Sequence, residues 1–166
     1  MILNNITFEI KEGEIFSLFG HNASGKSTLL KILSGIMKPD SGNIFLNGKD
    51  ICAVFQENIV PSGFKIIDFL LFYSKIVKSP YRKKDIISLA ESYGIKNEDM
   101  KKKITHLSGG TKKKIEFLKS IINKDALFHL FDEPTIGFDP ESQKIAWDHI
   151  RNLKKEDNII GYKYEK

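Results

Sequence analysis

The chain has 166 residues, 41% hydrophobic and 28% charged, with a formal net charge of +5, which fits one globular domain and excludes collagen-like, low-complexity and disordered classes. Cys52 is the single cysteine, so neither a disulfide framework nor a cysteine-based metal site is available. No signal-peptide pattern opens the chain, and no apolar run approaches the roughly 20 residues of a membrane span, so any membrane role is expected to come through a partner.

The positive charge gathers in three runs, Arg82 with Lys83 and Lys84, Lys101 with Lys102 and Lys103, and Lys112 with Lys113 and Lys114. Such runs raise the question of a nucleic-acid or anionic-membrane surface. Each lies beside apolar residues at helical spacing, so a solvated helix face is expected and nucleic acid is not an expected partner.

In chain order, Ile6, Phe8 and Ile10 alternate with Thr7 and Glu9 as a strand does. A turn over residues 11–14 and a mostly apolar run over 15–19 complete a hairpin. Residues 20–28 then match the phosphate-loop pattern at every required position, with Gly20, four residues, Gly25, Lys26 and Ser27. Backbone N–H groups have to wrap a polyphosphate there, and a side chain at Gly20 or Gly25 would obstruct the approach. Lys26 supplies a point charge for the terminal phosphates, Ser27 a hydroxyl for hydrated Mg²⁺, and Thr28 a further phosphate contact. Helical spacing over 28–33 places a helix N-terminus, with its dipole and free N–H groups, against the anion. That helix is expected to stop near Gly35, before a turn containing Pro39, Asp40 and Gly42, and residues 43–48 are expected to form a short strand and turn.

Residues 51–55 read as an apolar strand followed by Gln56, Glu57 and Asn58. A glutamine at the C-terminal end of a strand can face the crevice in which open α/β sheets bind ligands. From 59 to 103 the pattern is helical, with Ile66, Ile67, Leu70, Leu71, Tyr73 and Ile76 on one apolar face beside Phe69 and Phe72, and Ile86, Ile87, Leu89 and Ala90 on a second helix. Most of these aromatics are expected in the core and the remainder in a contact patch.

Leu107, Ser108, Gly109, Gly110 and Thr111 precede a helix with Ile115, Leu118 and Ile122 on one face. The residues alone leave two readings open. One is a glycine linker with Ser108 or Thr111 as N-cap; the other is a second phosphate-facing helix end, at which Gly109 and Gly110 allow close approach of an anion. Residues 126–134 form an apolar strand ending in Asp132, Glu133 and Pro134, where Asp132 can hold a magnesium-bound water and Glu133 can accept a proton from an attacking water. His129 is expected to be a core residue. Gly137, Phe138, Asp139 and Pro140 make a tight loop into a helix containing Ile145, Ala146, Trp147 and Ile150.

These five motifs, in this order, resemble the nucleotide-binding domain of ATP-binding cassette (ABC) proteins. The run Gly20, His21, Asn22, the run Gln56, Glu57, Asn58 with Phe72 and Tyr73 downstream, and residues 107–114 are most similar to the subfamily A lipid exporters of eukaryotes. The resemblance implies an α/β P-loop NTPase fold, a mainly parallel sheet flanked by helices. A single domain over 1–166 would divide into a strand and phosphate-loop core (1–58), a helical subdomain (59–106) and a second core part (107–166). ATP and Mg²⁺ are the implied cofactors. Gly20, His21, Asn22, Ala23, Ser24, Gly25, Lys26, Ser27 and Thr28 would hold the phosphates, while Ser27, Gln56 and Asp132 would serve the metal. Glu133 would be the general base, with Lys26 and Gln56 completing the catalytic set. Gln56 would also link the nucleotide to the transport partner. Ser108, Gly109, Gly110 and Asp139 would meet a second such domain in a head-to-tail pair docked on transmembrane domains at the cytoplasmic face of a membrane.

Two other functions fit the same motifs, a soluble cassette ATPase acting on DNA or ribosomes and a nucleotide-binding module without turnover. Ala23 stands where the family usually has glycine, Thr111 occupies the variable last place of the Leu-Ser-Gly-Gly signature, and Phe138 replaces a common leucine. The family's adenine-stacking aromatic would lie before the first strand, and no histidine follows His149 where the switch histidine is expected. On this reading the chain resembles a cassette domain cut at both ends, with weakened nucleotide affinity and turnover.

Overall fold

Short apolar strands with no polar face are suited to a parallel sheet covered on both sides, and four of them form the centre of this fold. In the computed structural model, residues 3–11, 14–21, 23–46, 50–55, 60–61, 63–155 and 159–163 are described. The strands are β1 (Ile15–Leu18), β2 (Ile51–Val54), β3 (Phe128–Asp132) and β4 (Ile159–Lys163), in the order β1-β4-β3-β2. All three pairings are parallel, so every strand ends on the same edge of the sheet. Val54 lies opposite Phe131, and Lys163 lies between Leu18 and Asp132.

The helices are α1 (Lys26–Leu33), α2 (Ile66–Ile76), α3 (Lys83–Ser92), α4 (Gly109–Ile122) and α5 (Pro140–Lys155), with two short 3₁₀ turns at Asn97–Lys101 and Ile104–His106. Successive strand side chains alternate between two cores, as the period of a strand requires. Val54 and Phe131 pack with Ile66 and Leu70 of α2, Ile86 of α3, Ile115 and Leu118 of α4, and Ala146 and Ile150 of α5. Phe128, Leu130 and Phe55 pack on the other face with Leu30 and Leu33 of α1. The class is therefore α/β, a parallel sheet flanked by helices.

Helix α1 stops where the turn signals place its end: Gly35, at φ 78°, donates its N–H to the Ile32 carbonyl. The strands expected over residues 6–10 and 43–48 do not form in the described residues, since neither 6–10 nor 43–46 joins the ladder of the described sheet; residues 47 and 48 lie outside the described residues. The neighbour of β1 is β4 rather than a hairpin partner, and an alternating pattern becomes a strand only where a ladder receives it. Phe8 instead lays its ring flat on Phe16, with centroids 5.0 Å apart. Of the aromatics in and before α2, Phe69 is core, whereas Phe64, two residues before the helix, and Phe72 are exposed and stack on each other at 5.8 Å.

His129 is buried as expected, its Nε2–H donating to the Ala126 carbonyl at 2.8 Å. Its Nδ1 and the Nε2 of His149 are buried with no hydrogen-bond partner among the described residues. Burial pulls both imidazoles down from 6.5 to about 4, and His149 also feels His129. The fold thus holds both rings neutral. Stability is complete above the unfolded value of 6.5 and is lost as pH falls from there towards 4, because the unfolded chain takes up protons that the native one refuses. Unfolding free energies from urea titrations between pH 7.5 and 5 should fall with a limiting slope of about 1.4 kcal/mol per pH unit for each histidine. His129→Leu should roughly halve that slope, leaving the part due to His149, and an unchanged slope would show that burial of His129 is not a cause.

Candidate functional site

The chain leaves β1 at Leu18 and turns through the phosphate-loop sequence into α1. A Cβ on Gly20, at φ 156°, would lie 2.9 Å from the Ser24 hydroxyl oxygen, so a side chain there would displace that hydroxyl and strain the backbone. The Ser24 N–H closes a tight turn on the His21 carbonyl at 3.2 Å. Gly25, at φ 92°, is the N-cap of α1 and directs Lys26, Ser27 and Thr28 into its first turn. Lys26 is only 7% exposed, and its ammonium donates to the carbonyls of Gly20 at 2.5 Å and His21 at 2.7 Å. The loop is therefore curled around a positive charge at a helix N-terminus, the arrangement that receives an anion. Ala23 adopts φ 62°, a left-handed conformation that costs a non-glycine residue about 1–2 kcal/mol. Asn22 lies outside the described residues.

At the same edge, β3 ends in Asp132, 2% exposed, and is followed by Glu133, 8% exposed. Glu133 has φ 51°, a left-handed turn that is rare for glutamate and typical of strained functional positions. Gln56, with Glu57 and Asn58, lies outside the described residues, whereas Phe55 before it is buried. Among the described residues, no three His, Cys, Asp or Glu side chains converge as a metal cage. The Ser27 hydroxyl and the Asp132 carboxylate are hard oxygen donors, and a donor set this small suits Mg²⁺, which keeps most of its shell as water and phosphate oxygen.

Ser108 is the N-cap of α4: its Oγ accepts the Thr111 N–H at 3.2 Å and lies 2.9 Å from the Thr111 hydroxyl oxygen. The two glycines that follow differ in their surroundings. A Cβ on Gly109 would meet nothing within 4 Å, whereas one on Gly110 would lie 2.5 Å from the Gly137 carbonyl oxygen. Open space for an approaching group therefore lies at Gly109. Gly110 is small because the loop before α5 packs on it.

Asp139 is engaged within its own chain. Its Oδ1 accepts the Ser142 N–H at 2.9 Å, and its Oδ2 accepts Lys114 Nζ at 2.5 Å and the Ser142 hydroxyl at 2.8 Å. These donors, Lys114 first, hold its carboxyl far below the usual carboxylate range.

The solvated face expected for Lys112, Lys113 and Lys114 is corrected by the structure, because Lys113 and Lys114 are only 4% and 9% exposed. Both ammonium groups find oxygen inside. Lys113 donates to the Phe55 carbonyl and lies 3.5 Å from that of Asp132, while Lys114 reaches the Tyr93 carbonyl at 2.7 Å as well as Asp139. Burial lowers Lys113 to about 8, opposed by the charges of Asp132, Glu116 and Glu133. Reading the run as a charge cluster missed both residues. Their helical spacing was the available signal, since Lys113 and Lys114 stand four residues before the fully buried Phe117 and Leu118. Arg82, Lys83, Lys84, Lys101, Lys102 and Lys103 are exposed, as expected.

A sequence profile described as ABC transporter matches residues 3–136. An ABC transporter ATP-binding protein of Methanocaldococcus jannaschii is 34% identical over 163 residues, spanning 96% of this chain and 60% of that protein. The mouse ATP-binding cassette sub-family A member 9 is 33% identical over 156 residues, which are 89% of this chain and 10% of that protein. An ATP-binding cassette solved as a dimer in a post-hydrolysis state with ADP and Pi superposes with a TM-score of 0.84 at 20% identity, covering 99% of this chain and 80% of that one. At that identity the likeness is one of fold.

The unequal surroundings of the two signature glycines give a direct prediction. Gly110→Ala should destabilise the fold by about 1–3 kcal/mol through overpacking against Gly137. Gly109→Ala should stay within about 0.5 kcal/mol, the range of an unobstructed surface change. Thermal denaturation of both variants checks this, and equal losses would contradict the packing assignment.

Proposed function

Because the chain belongs to the ABC transporter family, we propose that it is an ATP-binding and ATP-hydrolysing cassette that drives a membrane transporter. The observation that carries this reading is the Lys26 ammonium held inside the loop between β1 and α1, on the sheet edge where Asp132 and Glu133 end β3. In this reading Lys26 exchanges its two carbonyl partners for the terminal phosphate oxygens, while the loop N–H groups and the α1 N-terminus face the remaining charge. Ser27 and Asp132 would hold Mg²⁺, which supplies charge neutralisation at the phosphates when bound. Glu133 accepts the proton of the attacking water, and its burial keeps bulk water from competing for that carboxylate. Gln56 is assigned to the metal and to communication with the transport partner.

The second part of the proposal is pairing. Ser108 and the open surface at Gly109 offer a polar helix end that is separated in the chain from the phosphate loop, and a head-to-tail pair would bring one chain's α4 end to the other's loop. That a relative of the same fold was solved as a dimer bound to ADP and Pi is in keeping with pairing. Asp139, fixed by Lys114 and Ser142, would present its loop to the partner. We assign docking of the transmembrane partner to the exposed apolar group of Phe64, Phe72 and Ile76. No described helix is long and apolar enough to cross a membrane.

Two substitutions separate binding from chemistry. Lys26→Ala should weaken Mg-ATP binding by about 10–100-fold, the worth of charge-assisted hydrogen bonds. Glu133→Gln should bind Mg-ATP normally and lose turnover, and the unsubstituted chain should gain specific activity as its concentration rises. Fluorescent-nucleotide titration and phosphate release read these outcomes. Undiminished binding in Lys26→Ala, or activity independent of concentration, would remove the loop assignment or the pairing respectively.

A further inference from the structure

Lys113 has no part in the roles assigned above, yet it is 4% exposed and lies in the second turn of α4, the helix capped by Ser108. Its ammonium donates to the Phe55 carbonyl and lies 3.5 Å from the Asp132 carbonyl. The β2–β3 ladder has its last register pair at Val54 and Phe131. Phe55 and Asp132 are the next residue on each strand, so one side chain from α4 bridges the two strands where their own pairing stops.

An ammonium has three donors and no acceptor, and a buried carbonyl at a strand end needs a donor. Lys113 meets both needs at once and joins three elements, α4, β2 and β3. The residue after Phe55 is Gln56, and the residue after Asp132 is Glu133, whose left-handed backbone at φ 51° starts from the bridged position. With a neutral or shorter side chain the β2 end would lose its tie to β3, while Asp132 keeps only its register pairing with Lys163 of β4.

We propose that Lys113 is a positioning residue that clamps the C-terminal ends of β2 and β3 to α4 and thereby fixes the place of Glu133 for hydrolysis. With its ammonium on the Phe55 and Asp132 carbonyls, it acts through the backbone that carries the base. The proposal rests on the reading of Glu133 as general base, so its test has one readout that does not involve turnover.

The experiment compares the full chain with Lys113→Met, which keeps the length and removes the charge, and with Lys113→Arg, which keeps the donors. Hydrogen exchange of the amides at residues 54–55 and 131–133 should accelerate in Lys113→Met by about ten-fold or more, the worth of a lost charged hydrogen bond. The rest of the sheet should keep its protection. ATP turnover should fall by about 100-fold, as misplacement of a reacting group by about 1 Å implies, while the dissociation constant for Mg-ATP stays within two-fold. Lys113→Arg should recover most of both losses. Unchanged exchange and turnover in Lys113→Met would overturn the clamp, and so would a loss of ATP affinity equal to the loss of turnover with exchange rising throughout, the sign of general destabilisation. If the unsubstituted chain hydrolyses no ATP at any concentration, the reading of Glu133 fails and the exchange result alone decides the clamp.

Discussion

An ammonium group removed from water has to be met by oxygen, and three lysines among the described residues impose that demand on the fold. Lys26, Lys113 and Lys114 are all less than a tenth exposed, and each places Nζ on backbone carbonyls. Desolvating a charge is affordable only where every donor finds a partner. The carbonyls used belong to the loop after β1, to the residues at the ends of β2 and β3, and to Tyr93 after α3. Because all strands are parallel, two of these lysines lie along one edge of the sheet, where residues 20–28 and the Asp132–Glu133 pair are also found. The third ties α4 to the Asp139 loop and to the end of α3.

Two of the four left-handed non-glycine residues among the described residues, Ala23 and Glu133, lie at the same places; Asn5 and Lys78 are the other two. Ala23 and Glu133 both have left-handed backbones that cost on the order of 1–3 kcal/mol in residues with a Cβ. The surroundings enforce both conformations. Ala23 is caught between the turn that Ser24 makes on His21 and the Gly25 cap, and Glu133 between the end of β3 and the turn it makes with Ile136, whose N–H donates to the Glu133 carbonyl at 3.4 Å. Gly110 and Gly137 meet backbone to backbone, which fixes α4 against the loop leading into α5. Few of these features depend on side-chain packing, so the site is set by main-chain geometry at strand and helix ends.

Much of this was legible in the sequence because it is written in residue types with little freedom. A loop with glycine at 20 and 25 and lysine at 26 can be little else when an apolar run precedes it and helical spacing follows. Asp132 and Glu133 stood out because two acids ending an apolar strand are costly without a task. The strands expected over 6–10 and within 43–48 were misread, since alternation records a preference for a half-buried surface and says nothing of whether a ladder is available. Lys113 and Lys114 were misread for a related reason. A run of lysines looks solvated until the carbonyls that satisfy it are in place, and those come from residues 20 to 60 positions away in the chain. The exposure of Phe72, against the burial of Phe69 on the same helix, likewise depends on which helix face is covered.

The central claim is that residues 20–28, closed around Lys26, recognise the phosphate end of a nucleotide. Competition against a fluorescent ATP analogue tests it most directly, using magnesium tripolyphosphate, which has no base or sugar, and adenosine, which has no phosphate. Displacement by tripolyphosphate and none by adenosine at equal concentration is the predicted result. Displacement by adenosine alone would contradict the claim and place recognition at the base.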